Sequence, residues 1–177
     1  DDIADAIRAG RCFSTSGPLI DISVDGRGMG QTIQLPRSGG TVEVEAVSES
    51  VWPLGKLEIV HNGRAVEAER APRGSSVLRV RTWVKVDRSG WIAARSSSLR
   101  GHPAQATNAH TSPVYLKCGN TRAFDGPAAQ HMLALVEGSI EYMNTLATVY
   151  DEQSRRRMVK LFREAEAELK GRLSAGL

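Results

Sequence analysis

Ser14, Thr15 and Ser16 form the first run of side chains in this chain whose chemical type could serve a reaction. A hydroxyl attacks a carbonyl or phosphoryl centre only when a neighbouring base takes its proton. No Gly-x-Ser-x-Gly elbow surrounds these three residues and no base stands beside them, so the spacing predicts hydrogen bonding at a turn or strand end. His61, His102, His110 and His131 are dispersed and form no HxH, HExxH or Cys/His pair, so no complete metal site is read from them. His110 stands apart because it precedes Thr111-Ser112-Pro113 at the entry to a strand, where loop side chains are aimed at a neighbour. Without an orienting partner, the ordinary role of such an imidazole is structural. Cys12 and Cys118 lie far apart and read as two buried thiols; a bridge between them is a matter of geometry that spacing does not decide. Gly26-Arg27-Gly28-Met29-Gly30 follows a strand as a dinucleotide loop does, but Thr32 to Pro36 reads as strand and breaker. The helix N-terminus that would hold a phosphate is missing, and the glycines serve a turn or bulge. Trp52, Trp83 and Trp91 would stack on sugar rings if exposed, or pack in the core or on a sheet face. Arg155-Arg156-Arg157 spreads around a helix as a solvated face.

These side chains depend on the elements that carry them. Asp2–Arg8 has Ile3, Ala6 and Ile7 at helical spacing and Gly10 where a helix stops. Pro18–Asp25 alternates Ile20, Ile22 and Val24 with polar residues, and Thr32–Leu35 is read as continuing that edge. Thr41–Val47 is a half-buried strand. Lys56–His61 and Arg64–Ala68 flank Asn62-Gly63, which predicts a tight hairpin. Val77–Val86 is a further strand, with Trp91–Arg95 expected as its partner after the turn Asp87–Gly90. Ser96–Ala109 reads as polar and irregular, and Val114–Cys118 as a last strand. Beyond Asp125 the period changes. Ala129, Met132, Leu133, Val136, Ile140, Met143, Ala147 and Tyr150 form one helical stripe, and Met158, Leu161, Phe162, Ala165, Leu169 and Leu173 a second. About seven short strands predict a mainly β chain, an antiparallel, immunoglobulin-like β-sandwich over 18–119, with a helix and junction over 1–17 and a C-terminal helical hairpin over 125–177.

Composition bounds the function. With 41% hydrophobic residues in 177, the chain can bury one good core, alone or with a small helical appendage. Its 23 basic and 20 acidic residues leave a net charge of +3, which requires no nucleic-acid partner. The apolar window at Leu133–Val136 is broken by Glu137 and Glu141, short of the roughly 20 residues a membrane span needs.

Three stretches, AGRCFSTSGP at Ala9–Pro18, SGWIAAR at Ser89–Arg95 and AHTSPVY at Ala109–Tyr115, occur in an order that resembles a known family. The chain is similar, from Ala6 to Leu116, to the C-terminal region of PHP-type metallohydrolases (polymerase and histidinol phosphatase superfamily), in the branch of carbaryl-hydrolase-like enzymes. In that family an AGR-then-TxGP segment closes the metal-binding barrel and leads into a β-sandwich with an SGWxAAR strand and an HTSPxY strand. The resemblance implies that Arg11, Ser14 and Thr15 border the substrate cleft and that His110 approaches it from the sandwich. It implies divalent metal ions held by N-terminal HxH and Asp-x-His motifs, which this chain does not carry. The chain would then be an accessory region, non-catalytic by itself and without a cofactor of its own. Its partner would be an N-terminal metallohydrolase barrel that cleaves a phosphoester, carbamate or amide bond. Residues 125–177 lie outside the resemblance and offer an added unit or a contact surface for a homo-oligomer. The alternative is a stand-alone carbohydrate-binding or protein-interaction module.

Overall fold

A computed structural model describes residues 2–99, 107–121, 123–148 and 150–175. The chain divides into two compact units, Asp1–Ala123 and Phe124–Leu177, the first rich in strands and the second helical. His102 and the middle of the expected irregular stretch lie outside the described residues.

The first unit opens with the short helix α1 (Asp2–Arg8) and builds one eight-stranded sheet. Its spine is β4 (Gly40–His61) and β5 (Arg64–Val86), paired antiparallel and joined at Asn62-Gly63. Both turn residues have positive φ, 49° and 84°, which suits the twist of a two-residue hairpin. The free edge of β4 takes β2 (Leu19–Val24) beside Val44–Glu49 and β6 (Gly90–Ser98) beside Leu54–His61. β6 in turn pairs with β7 (Asn108–Thr111) and β8 (Val114–Cys118). Outermost lie β1 (Phe13–Thr15) against β7 and β3 (Thr32–Leu35) against β8, the last pair parallel.

Four expectations are corrected by this topology. Thr41–Val47 and Lys56–His61 are one strand, as are Arg64–Ala68 and Val77–Val86, because register shifts on either side of Leu54 absorb the Val51-Trp52-Pro53 interruption. Trp91–Arg95 pairs with β4 rather than with Val77–Val86: β5 fills one edge of β4, and Asn62 draws the returning chain to the other by accepting the Trp91 N–H on Oδ1 at 3.0 Å. β3 leaves the β2 edge, because Asp25, Gly26 and Gly30, all at positive φ, re-aim the chain toward β8. Within the described residues, Ser96–Ser98 and Asn108–Ala109 are strand; Ser96 is buried, with its Oγ 2.8 Å from Ser48 Oγ, so small polar residues continue the ladder.

A straight β4 of 22 residues would hold Gly40 and His61 roughly 70 Å apart. Val86, the register partner of Gly40, is nevertheless joined to Gly90, beside Asn62, by only Asp87-Arg88-Ser89. That link reaches about 14 Å. The hairpin is therefore doubled over on itself near the irregular stretch before Lys56. One core cluster accordingly collects Ile20, Ile22 and Val24 from β2, Val42 and Val44 from early β4, Leu57 and Ile59 from late β4, Val84 and Val86 from β5, and Ile92, Val114 and Leu116 from β6 and β8.

In the second unit, α2 (Gly126–Thr145) and α3 (Glu152–Ser174) pack on each other. Each is capped by an aspartate: Asp125 accepts the Ala128 N–H and Asp151 the Ser154 N–H, both at 2.9 Å. Ala129, Ile140 and Met143 of the expected stripe are buried. Met132 and Tyr150 are exposed instead; Met132 shares a second, exposed set with Leu135, Tyr142 and Leu146. Arg155 and Arg156 both bond Glu152 on the exposed side of α3. No helix among the described residues is long and apolar enough to cross a membrane.

Candidate functional site

Strand alternation and register create one polar patch on the sheet. Along β6, Ile92, Ala94 and Ser96 are buried while Arg95 is exposed; along β7, Ala109 and Thr111 are buried while Asn108 and His110 are exposed. Register places Ser14 of β1 opposite His110, His110 opposite Arg95, and Arg95 opposite Glu58 of β4. Directly opposed side chains share a face, about 5 Å apart at Cβ. Two residues along, Asn108 pairs with Ser97 and Ser97 with Lys56, while the Asn108 N–H donates to Ser16 Oγ at 2.9 Å. The result is two parallel rows, Ser14-His110-Arg95-Glu58 and Ser16-Asn108-Ser97-Lys56. A groove of about 340 Å³ lies over them, lined by Lys56, Glu58, Arg95, Ser97, Asn108 and His110.

Glu58 is the centre of its electrostatics. It is only 5% exposed, yet its Oε1 lies 2.9 Å from Lys56 Nζ and its Oε2 accepts from Arg95 Nε at 2.7 Å. Burial pushes its carboxyl up, but the hydrogen bonds and charges of Lys56 and Arg95 together outweigh that and hold it below its ordinary value. One carboxylate meets two cations, so the patch carries an excess positive charge. A larger groove, about 480 Å³ over β2, β4 and β5, has Asp21 and Glu45 against Arg79 and Arg81, which balance. Its Arg81–Glu45 pair is solvated, 67% and 52% exposed at the side chains, and such pairs hold little energy.

Two groups of the strand-rich unit, His61 and Glu58, should each cost stability on acidification. Burial pushes the His61 imidazole below its ordinary value of 6.5, with Asp87 opposing and Arg88 reinforcing the shift. Its contribution is present above 6.5 and is lost as pH falls through the lower folded-state value, because the unfolded chain takes up the proton first. Glu58 repeats the pattern below its ordinary 4.5. Urea midpoints of the strand-rich unit followed between about pH 7 and pH 3 should show both losses, and Glu58→Gln should diminish the lower one. A midpoint flat across that range contradicts both assignments.

The structure brings two of the four residues expected to border a cleft into one row, Ser14 and His110. Thr15 belongs to the opposite alternation: its Oγ1 donates to the Pro18 carbonyl at 2.5 Å and accepts the Gly17 N–H at 2.9 Å. Arg11 is exposed just after α1, with its N–H donating to the Ala6 carbonyl, and is not in the row. Sequence reasoning passed over Lys56, Glu58 and Arg95. The signal for Arg95 was its place at the end of SGWIAAR; for Lys56 and Glu58 it was their alternation with Leu57 and Ile59.

Both cysteines are free; Cys12 Sγ lies 3.4 Å from Ser112 Oγ, and Cys118 is buried. Among the described residues no group of three or more His, Cys, Asp or Glu could hold a metal ion. Trp83 is 66% and Trp52 46% exposed. Trp83 stands opposite Glu43 and Trp91 opposite Tyr115, so the register pairs no two indoles into a platform. No protein-family model matches this chain, and no curated protein matches it.

Proposed function

We propose that the strand-rich unit is an immunoglobulin-like sandwich serving as the accessory region of a PHP-type metal-dependent hydrolase, non-catalytic by itself. The doubled hairpin and the single shared core support the sandwich. The observation that carries the functional reading is the row Ser14-His110-Arg95, in which each of the three resembling stretches contributes one residue. Three stretches far apart in sequence meet on adjacent strands and set polar side chains on one face. In this reading that face borders the substrate cleft of a barrel that supplies the divalent ions and the hydrolytic step, while this chain binds and orients. Hydrolysis of that kind needs cations to polarise the scissile group and activate water.

The isolated chain, assayed with phosphomonoester, carboxylester and carbamate substrates in the presence of divalent zinc, manganese or magnesium, should show no turnover above buffer. Robust turnover that is lost in His110→Ala would overturn the accessory reading. Restored turnover on mixing with a separately produced PHP barrel would support it.

A further inference from the structure

We propose that the two-row patch over β1, β7, β6 and β4 is a binding site for the oxyanion end of a small molecule, a carboxylate or a phosphate group. It rests on the accessory reading only for whose substrate that molecule is; the site itself stands on the geometry. Lys56 and Arg95 bring two positive charges and Glu58 returns one negative, so a single anionic group completes the balance. Glu58 Oε2 takes the Arg95 Nε, which orients the guanidinium and leaves its terminal amino groups for another acceptor. That planar fork matches two oxygens of a carboxylate or phosphate. Arg95 keeps a side-chain exposure of 54% although its partner Glu58 has only 7%, so the cation faces outward from a carboxylate held within. The hydroxyls of Ser14 and Ser97 and the His110 ring stand on the same face and supply further donors. The groove of about 340 Å³ lies within the size range of small-molecule pockets. The Arg81 network on the other half of the sheet provides the contrast. There Glu43 and Glu45 both bond one arginine, so that cation is already matched within the sheet and no anion is called for.

Amide shifts in two-dimensional NMR spectra of the full chain, titrated with phenyl phosphate and, separately, with benzoate at fixed ionic strength, test the proposal. The expected result is a saturable shift in the millimolar range or below, confined to residues around Ser14, Glu58, Arg95, Ser97 and His110. A preference for phenyl phosphate identifies a phosphoryl group, and a preference for benzoate a carboxylate. Arg95→Gln should weaken binding at least about tenfold. His110→Ala, at an exposed position, should weaken it less, and Arg81→Gln should leave it unchanged. If Arg95→Gln does not fold, the His110→Ala and Arg81→Gln pair still decides. Non-saturating shifts, or equal loss in Arg81→Gln and His110→Ala, would overturn the site. Its failure leaves the accessory reading standing, whereas turnover by the isolated chain would sink that reading and leave anion binding untouched.

Discussion

Leu57→Ala should lower the unfolding free energy of the strand-rich unit by about 2–5 kcal/mol, the range for a fully buried leucine whose cavity cannot collapse. Leu57 is 0% exposed and sits on β4 between Glu69 of β5 and Ser96 of β6, with its side chain in the shared core. Close packing around such a position forfeits both the transferred surface and the contacts across the void. A urea midpoint shift at unchanged slope reads the loss directly. A change below about 1 kcal/mol would mean that the site relaxes and that Leu57 does not belong to the core. The same measurement on Val51→Ala, a residue 92% exposed on the same strand, should give almost no change.

Gly30→Ala should cost about 2–3 kcal/mol, for two reasons that act together. Its φ of +78° lies where an L side chain is strained, and an added Cβ would come within 1.9 Å of the Ala9 carbonyl oxygen. That oxygen is main chain, so α1 and the following turn must move. The loss should begin locally: the Gly30 N–H donates to the Pro113 carbonyl and the Ser112 N–H to Cys12, and exchange protection at those two amides should fall first. Gly28→Ala, two residues earlier, meets open space and should be nearly neutral. Equal midpoints for the two variants would contradict the close approach at Gly30.

Much of the strand content was legible in period-two alternation. Ile20, Ile22 and Val24, like Val42, Val44 and Ala46, announce their buried faces without help from the rest of the chain. The hairpin at Asn62-Gly63 was legible because two adjacent positive φ angles restrict residue choice so sharply. Pairing partners were not legible. Alternation fixes which face a residue takes but not which strand lies beside it; the turn at Asp87–Gly90 points β6 toward β5, yet β4 holds it. The candidate site followed the same division. Ser14 and His110 drew notice by type, yet what joins them is register across β7 and β6, a long-range property. Glu58 was hidden because one buried carboxylate on an alternating strand looks like any solvent-facing one until Lys56 and Arg95 are beside it.

The length of β4 and β5 has a thermodynamic consequence. Each runs through both halves of the sheet, and β2 and β6 share a single edge of β4, so neither half can melt while the other keeps its ladder intact. Loss of either half strips partners from strands the other half needs. The strand-rich unit is thus built to denature cooperatively, in one all-or-none event.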